Sequence, residues 1–526
     1  MTAIRRVALV GLPGSGKSTI APPLAALLGW RCLDTDAEIE ENWGASIASM
    51  MESRGETAFR SVELDTLTRA LTGAHPLVIS CGGGMMTGER ARRLLLEETC
   101  VVWLDAPDEV LLGRLGKAAD RPLLRENPAR RLAELRADRL SDYGKAHLRV
   151  DSSSTPEAVA EHVHRALTGA LRIDIPGHGH LVSVRPGAVD DVALHVPAAA
   201  ARAAVVADSS VTPLAVRIAQ HLRDAGTDAF AVGLDGGESV KTWAAAGRLL
   251  EELAGRGVGR RDCLVAVGGG TIGDLCGFAA ATYLRGIAWI NVPTTLLAMV
   301  DSAVGGKTGV NLPQGKNLAG AFWQPHAVIC DTDVLAGLPD RAFQAAFAEI
   351  IKYAMIDGGM SADQLDGRLD ALLDRDPGAL AEVVERCCTS KGAVVSADER
   401  EGDLRAILNY GHTVGHALEA ATGYGDALWH GEALAVGMRV AGSLSRRQLG
   451  CPDGDIRWQD IMLARCGLGR SPNVGVDAVI DRLAADKKAV AGTVRWVLLE
   501  ERGRPRTGQL VPEALVRESL AAVLPG

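Results

Sequence analysis

Val7-Ala8-Leu9-Val10 runs into Gly11-Leu12-Pro13-Gly14-Ser15-Gly16-Lys17-Ser18, and that junction decides how the first third of the chain folds. Four apolar residues ending at a glycine read as a buried strand. The eight residues after them fit G-x-x-x-x-G-K-[ST], and a helix is expected next. The order has a physical reason. Glycines let successive backbone N–H groups curl around a phosphate, and the start of a helix adds partial positive charge. Gly14, Ser15, Gly16, Lys17, Ser18 and Thr19 are therefore the candidate nucleotide contacts. Lys17 reaches toward the β- and γ-phosphates and Ser18 toward Mg2+, so ATP with Mg2+ is the expected cofactor of this part.

Working outward, strand-like runs at 76–80 and 101–104, with helical stretches between, extend this start into a parallel α/β sheet that fades near 165–175. Leu33-Asp34-Thr35-Asp36 stands where a second strand should end. Carboxylates at i and i+2 leave a strand on the same face. One suits Mg2+ and the other a hydroxylated substrate; the competing reading is a pair of helix N-caps.

The chain has 526 residues, too many for one core, and about three to four units are expected. Hydrophobic residues make up 47% and charged residues 23%, as in an ordinary globular protein. A net charge of -9 argues against nucleic acid or an anionic membrane as partner, since both favour a basic face. Small anionic substrates need local basic pockets instead. The ten cysteines contain no C-x-x-C pair, and only Cys387 and Cys388 are neighbours, which fits reduced thiols and a cytoplasmic location. The apolar run 7–12 is too short for a signal segment or a membrane span.

A second α/β series starts at 203–207 and continues through 230–232, 264–267, 288–292 and 327–330. From about Pro339 the pattern turns mostly helical until 494–499. Gly268-Gly269-Gly270-Thr271-Ile272-Gly273 fits G-x-G-x-x-G after a strand, but the acidic residue usual about 20 positions later is not evident. Asp208, ending an earlier strand, is the candidate for an adenosine ribose. Gly411-His412-Thr413-Val414-Gly415-His416 puts two imidazoles on one helical face, His430 follows, and Glu349 lies upstream in a helix with Lys352 one turn on. A glutamate with two histidines is a catalytic zinc set. The residues alone leave open whether His412, His416 or both are ligands.

Residues 1–172 resemble the shikimate kinases. The matching elements are the phosphate loop, Asp34-Thr35-Asp36, Phe59-Arg60, Cys81-Gly82-Gly83-Gly84, Val101-Val102-Trp103-Leu104, Arg121-Pro122-Leu123-Leu124, and Arg139 four residues before Tyr143. The resemblance implies a P-loop NTPase-like domain with Asp34 near the metal. It places Asp36, Arg60, Gly82, Gly83, Gly84 and Arg139 on shikimate and Arg121 on a lid over ATP. Arg139-Leu140-Ser141-Asp142-Tyr143 lacks the Pro-Leu usual before the tyrosine. Gluconate and nucleoside-monophosphate kinases are the alternatives within this class.

Residues 173–526 resemble the 3-dehydroquinate synthases, as an α/β dinucleotide-binding part (173–337) and a mostly helical metal part (338–526). The match runs through Gly237-Glu238 with Lys241, Gly268 to Asp274, Arg285-Gly286, the Pro293 to Ser302 run, Gly305-Gly306-Lys307-Thr308 and Lys316-Asn317. It continues with Glu349 to Lys352, Lys391, Arg405, Leu408-Asn409-Tyr410-Gly411-His412, His416, His430-Gly431-Glu432 and Asp486-Lys487-Lys488. The resemblance implies Zn2+ or Co2+ on Glu349, His412 and His430, with His416 acting on substrate. It implies NAD on Asp208, Glu238, Lys241, Gly270, Asp274, Thr294 and Thr295. Asp301, Lys307, Lys316, Asn317, Lys352, Lys391, Arg405 and Asn409 become substrate contacts. Arg285 becomes a contact to the substrate phosphate across a homodimer interface. Ser210 stands where some relatives carry an asparagine near the ribose.

The implied reactions are phosphorylation of shikimate at its 3-position and conversion of DAHP to 3-dehydroquinate. In the second, NAD+ accepts and returns a hydride, phosphate leaves by elimination, and the ring opens and closes again by an aldol step. Two other readings keep the folds: a different sugar-phosphate cyclase substrate, or one half serving as a silent regulatory module.

Overall fold

The computed structural model describes residues 2–115, 127–175, 179–357, 362–400, 402, 404–423, 427–485 and 494–524. Two sheets organise them. The first has five parallel strands in the order Arg31–Asp34, Leu77–Ser80, Arg6–Val10, Cys100–Asp105 and Leu148–Asp151. Strands covered on both faces read as unbroken apolar runs, and Cys100–Asp105 is buried throughout. Helix Lys17–Leu28 packs against the strand Leu77–Ser80 and the helix Pro156–Leu167.

The second sheet has eight strands in the order Thr2–Ala3, Ala170–Ile173, His180–Arg185, Ala327–Asp331, Ala288–Pro293, Cys263–Gly268, Arg202–Asp208 and Asp228–Leu234. The first two junctions are antiparallel and the other five parallel. Strand Ala170–Ile173 straddles residue 172, and the edge strand Thr2–Ala3 lies ahead of the first sheet in sequence. The two halves thus share backbone pairing as well as a linker.

Side chains continue this seam. Leu181 and Leu194 of the second half belong to the same apolar cluster as Val7, Leu9, Val102 and Val163 of the first. Buried Asp191 pairs with Arg165 at 3.2 Å and His162 at 3.4 Å on helix Pro156–Leu167, and with Arg185. Burial works to raise the Asp191 carboxyl, but these three partners outweigh it and hold it well below the usual range.

The helices Phe347–Ile356, Pro377–Ala397 and His430–Leu449 form the body of the last part, and an apolar cluster joins them to Val182, Val184, Val328 and Cys330 of the sheet. A one-turn π-helix, Ala298–Ser302, packs against helices Pro377–Ala397 and Phe347–Ile356, and a hairpin of Lys307–Leu312 with Gly315–Phe322 packs on helix Gly270–Thr282. The hairpin has no counterpart among the strand-like runs read from the sequence, and a glycine turn precedes it. Gly305 and Gly306, at φ +120° and +64°, make that turn, and Lys307 opens the strand beyond it. Among the described residues no helix is long and apolar enough to cross a membrane, and all ten cysteines are free thiols.

Candidate active sites

In the first half, the loop 11–16 joins strand Arg6–Val10 to helix Lys17–Leu28, as the glycine pattern requires. Gly11, Gly14 and Gly16 all have positive φ, and a Cβ on Gly11 would lie 2.4 Å from the Leu104 carbonyl oxygen. Lys17 Nζ donates to the carbonyls of Gly11 and Leu12, at 3.0 and 3.2 Å. Ser15 Oγ is buried inside the loop with no hydrogen-bond partner. A buried hydroxyl is seldom left unmatched, and one set in a glycine loop at a helix start fits a phosphate oxygen. The loop residues therefore fit ATP. Ser18 Oγ lies 3.3 Å from Ser80 Oγ.

Asp34-Thr35-Asp36 divides into three tasks. Asp34 caps helix Thr35–Trp43 by accepting from Asp36 N and Ala37 N, both through Oδ1, which leaves Oδ2 outside the cap. Buried Thr35 donates to the Ser80 carbonyl and accepts from Gly82 N–H at 2.9 Å, fixing the glycine turn. Asp36 faces that turn: a Cβ on Gly82 would lie 2.6 Å from its Oδ1 and equally near Glu63 Oε1. A Cβ on Gly84 would lie 2.3 Å from Arg60 Nη1, and one on Gly83 would lie 3.5 Å from Arg139 Nη1. Arg139 and Tyr143 both donate to the Gly83 carbonyl, at 2.6 and 2.7 Å. Asp36, Arg60, Gly82, Gly83, Gly84 and Arg139 thus converge, despite the altered residues before Tyr143. Glu63, 2.7 Å from Arg60, was not expected here; its only sequence signal is the i, i+3 spacing. Burial raises the Glu63 carboxyl. Arg121 lies outside the described residues.

In the second half, Gly268 ends strand Cys263–Gly268 and Gly270 begins helix Gly270–Thr282. Side chains press close at both glycines: a Cβ on Gly268 would meet Ile272 Cγ1 at 2.7 Å, and one on Gly270 would meet Ser302 Oγ at 2.8 Å. Asp208 ends its strand with Oδ1 held by Ser210 N and Oγ, at 2.8 and 2.7 Å. Glu238 accepts from Thr271 Oγ1 at 3.1 Å and from Asn311 Nδ2 at 2.7 Å. Lys241 pairs with Asp274, whose carboxyl burial raises. Thr294 is buried beyond strand Ala288–Pro293, and Thr295 Oγ1 accepts from Ala298 N–H. A glycine turn at a helix start, flanked by carboxylates at strand ends, fits a dinucleotide.

Two groups among the described residues could hold a metal, Glu349 with His412 and His430 and, sharing His430, His416 with Glu419; in each the ligand atoms all lie within 4.8 Å of one another, and the first is the more buried. Glu349 is 0% exposed, and its Oε1 faces His412 Nε2 at 3.3 Å and His430 Nε2 at 3.5 Å. Neither of its oxygens makes a hydrogen bond of acceptable geometry, although Lys352 Nζ is 2.5 Å away. Burial works to raise the Glu349 carboxyl, but Lys352 and the two imidazoles outweigh it and hold it well below the usual range. A buried anion aimed at two ring nitrogens without a directed partner fits a divalent cation. His416 stands beside this group, its ring centroid 5.3 Å from that of His412 and 6.2 Å from that of His430.

Cationic side chains surround the group. Lys391 Nζ contacts both the carbonyl and Oδ1 of Asp301 at 2.6 Å. Arg405, buried, donates to the Glu399 carbonyl at 2.7 Å and to the Gly305 carbonyl at 3.3 Å, beside Lys307 in sequence. Asn409 ends the turn Leu404–Asn409, just before His412. Lys316 reaches Glu419 at 3.5 Å, and Asn317, at φ +56°, donates its N–H to Asn311 Oδ1. Arg285 is exposed on a turn with positive φ at Leu284, Arg285 and Gly286. Sequence reasoning missed Asn311 and Glu419. Nothing distinguishes Asn311 in a hairpin strand, whereas Glu419 shares the helical face of His412 and His416.

Residues 13–168 match the sequence family described as shikimate kinase. Residues 231–345 match 3-dehydroquinate synthase N-terminal and 346–489 match 3-dehydroquinate synthase C-terminal. The 3-dehydroquinate synthase of Acidithiobacillus ferrooxidans is 44% identical over 362 residues, 68% of this chain and 98% of that protein. The crystal structure of 2-deoxy-scyllo-inosose synthase complexed with carbaglucose-6-phosphate, NAD+ and Co2+ is similar with a TM-score of 0.63 at 29% identity, over 68% of this chain and 100% of that one. A 2-epi-5-epi-valiolone synthase from Streptomyces hygroscopicus with NAD+ and Zn2+ bound follows at 0.60 and 26%, over 65% of this chain and 96% of that one. The chain belongs to the 3-dehydroquinate synthase family and carries a shikimate kinase region ahead of it in the same polypeptide.

Proposed function

We propose that the chain runs two reactions of one route, divided near residue 172. The first half transfers a phosphoryl group from ATP to the 3-hydroxyl of shikimate. The second converts DAHP to 3-dehydroquinate with release of phosphate. The observation that carries the synthase half of this reading is buried Glu349 facing His412 and His430 Nε2 at 3.3 and 3.5 Å.

In the kinase half, Ser15, Gly16, Lys17 and Thr19 hold the ATP phosphates, and Ser18 and Asp34 hold Mg2+. Lys17 exchanges its two loop carbonyls for phosphate oxygens. Arg60 and Arg139 grip the shikimate carboxylate. Asp36 accepts from its hydroxyls, and the Gly82–Gly84 turn lets the ring lie against backbone. Arg121 acts over the nucleotide.

In the synthase half, Glu349, His412 and His430 would hold Zn2+ or Co2+. Asp208, Glu238, Lys241, Gly270, Asp274, Thr294 and Thr295 would hold NAD. Bound together, these groups supply a Lewis acid and a transient hydride acceptor. The chain's own part is to grip two anionic handles. Lys307, Lys352, Lys391, Arg405, Lys316, Asn317 and Asn409 surround phosphate and carboxylate, Asp301 orients Lys391, and His416 moves a proton at the reacting carbon. Arg285, exposed on its strained turn, serves the partner copy of a homodimer formed through this half. A cytoplasmic setting completes the reading, supported by ten free thiols. The two reactions are not adjacent, since dehydration and reduction must come between them, so direct transfer of product within the chain is not expected.

One purified chain assayed twice tests this. ADP formation is measured with shikimate, ATP and Mg2+. Phosphate release is measured with DAHP and NAD+, with and without a chelator. The expected result is both activities, with phosphate release from DAHP lost on chelation. Phosphate release that ignores both NAD+ and chelator would refute the synthase assignment.

A further inference from the structure

We infer that Glu419 is a positioning residue for the metal site: its carboxylate sets the tautomer and direction of the ligand His430, and Lys316 braces it from the hairpin. This rests on reading Glu349, His412 and His430 as the metal ligands.

An imidazole ligates through a lone pair, so the nitrogen aimed at the metal must carry no proton. His430 turns Nε2 toward Glu349 Oε1 at 3.5 Å and Nδ1 toward Glu419 Oε2 at 3.1 Å. Both ring nitrogens face carboxylates, and once a cation sits on Nε2 only Nδ1 can carry the proton, which Glu419 accepts. His412 repeats the arrangement with a neutral acceptor, its Nδ1 lying 3.4 Å from the Tyr410 carbonyl oxygen. Both histidines therefore present Nε2, one anchored by backbone and one by charge. A hydrogen bond to the far nitrogen of a ligating histidine fixes the ring and raises its basicity.

The same atoms admit a rival. His416, Glu419 and His430 also form a group with ligand atoms within 4.8 Å, in which Glu419 would itself bind the ion. The two carboxylates differ in a way that favours Glu349 as ligand. Glu419 is already served on one oxygen by His430 and on the other by Lys316 at 3.5 Å. Glu349 pairs with Lys352 through Oε2, while its Oε1 faces the Nε2 atoms of both His412 and His430 and makes no hydrogen bond. Lys316 lies on the strand Gly315–Phe322, next to Asn317, which reaches Glu238 of the dinucleotide cradle through Asn311. The brace on Glu419 thus comes from the hairpin that also meets the cofactor side.

The test uses the full chain, titrated with Co2+ and with Zn2+ against a competing chelator, with the visible Co2+ spectrum recorded and metal-free melting followed in EDTA. Glu419→Ala is expected to weaken metal binding about 10–100-fold. Glu419→Gln, which keeps an acceptor for Nδ1, should recover most of that loss. Both should retain the wild-type Co2+ band positions, because the ligand set is unchanged. Glu419→Met, close in volume, carries the same expectation as alanine if the alanine variant does not fold. Wild-type affinity in the alanine or methionine variant overturns the inference. So does a loss in Glu419→Gln as complete as in His430→Ala with a shifted spectrum, which would make Glu419 a ligand. A wild-type chain that takes up no Co2+, or a His430→Ala chain that binds it normally, defeats the metal reading itself and is recognised as such.

Discussion

Lys352 Nζ lies 2.5 Å from Glu349 Oε2, and solvent reaches almost nothing of either side chain. Removing one member of a buried ion pair leaves the other charge uncompensated. Lys352→Met should therefore destabilise the metal-free chain by about 3–5 kcal/mol. A divalent cation supplies the missing positive charge, so Zn2+ should restore much of the loss. Thermal melting in EDTA and in Zn2+ reads both effects; equal destabilisation in the two conditions would contradict a metal on Glu349.

The two sites share no residue, so their losses should separate. Lys17→Ala is expected to lower shikimate-dependent ADP formation by at least about 100-fold while phosphate release from DAHP stays near wild type. His412→Ala should do the reverse. Loss of both activities in either folded variant would mean that the halves depend on each other.

Gly84 allows Arg60 its place: a Cβ there would sit 2.3 Å from Nη1. Gly84→Ala should displace the guanidinium from the shikimate carboxylate and raise the KM for shikimate about tenfold or more, as for a lost charge-assisted hydrogen bond. The KM for ATP should hold. Steady-state kinetics with each substrate varied in turn decides it.

Three histidines near the seam, His195 buried and His147 and His326 half-buried, set an acid limit. Burial pushes His147 down to about 3, and His195 and His326 down to about 4. Their folded values lie below the unfolded one, so the unfolded chain takes up protons first as pH falls. The stability they contribute is full above about pH 6.5 and is lost progressively toward pH 4, at up to about 1.4 kcal/mol per pH unit for each ring. Denaturant midpoints across pH 4–7 should show this slope, and His326→Leu should reduce it by about one proton.

Much of this was legible because glycine and apolar runs carry local instructions. Val7–Val10 with its loop, and Cys263–Gly268 with Gly270, read directly as strand, turn and helix. The hairpin from Lys307 did not, because Gly305 and Gly306 mask a strand whose partner begins only at Gly315. Asp34-Thr35-Asp36 was readable as a pair of carboxylates, but the work of Thr35 on Gly82 depends on a strand 45 residues away. Glu63 and Glu419 look like ordinary helical acids until folding buries them beside Arg60 and His430.

The strand Thr2–Ala3 has a consequence for the order of synthesis. It pairs with Ala170–Ile173, so it waits unpaired while the ribosome makes the intervening chain, for roughly ten to thirty seconds. By the time the synthase sheet begins to assemble, the cover for its border is already made and close by. An uncovered sheet border is a template for joining other chains. A synthase gene cut free at residue 173 would lose both Thr2–Ala3 and Ala170–Leu171–Arg172, and would leave His180–Arg185 as a bare rim.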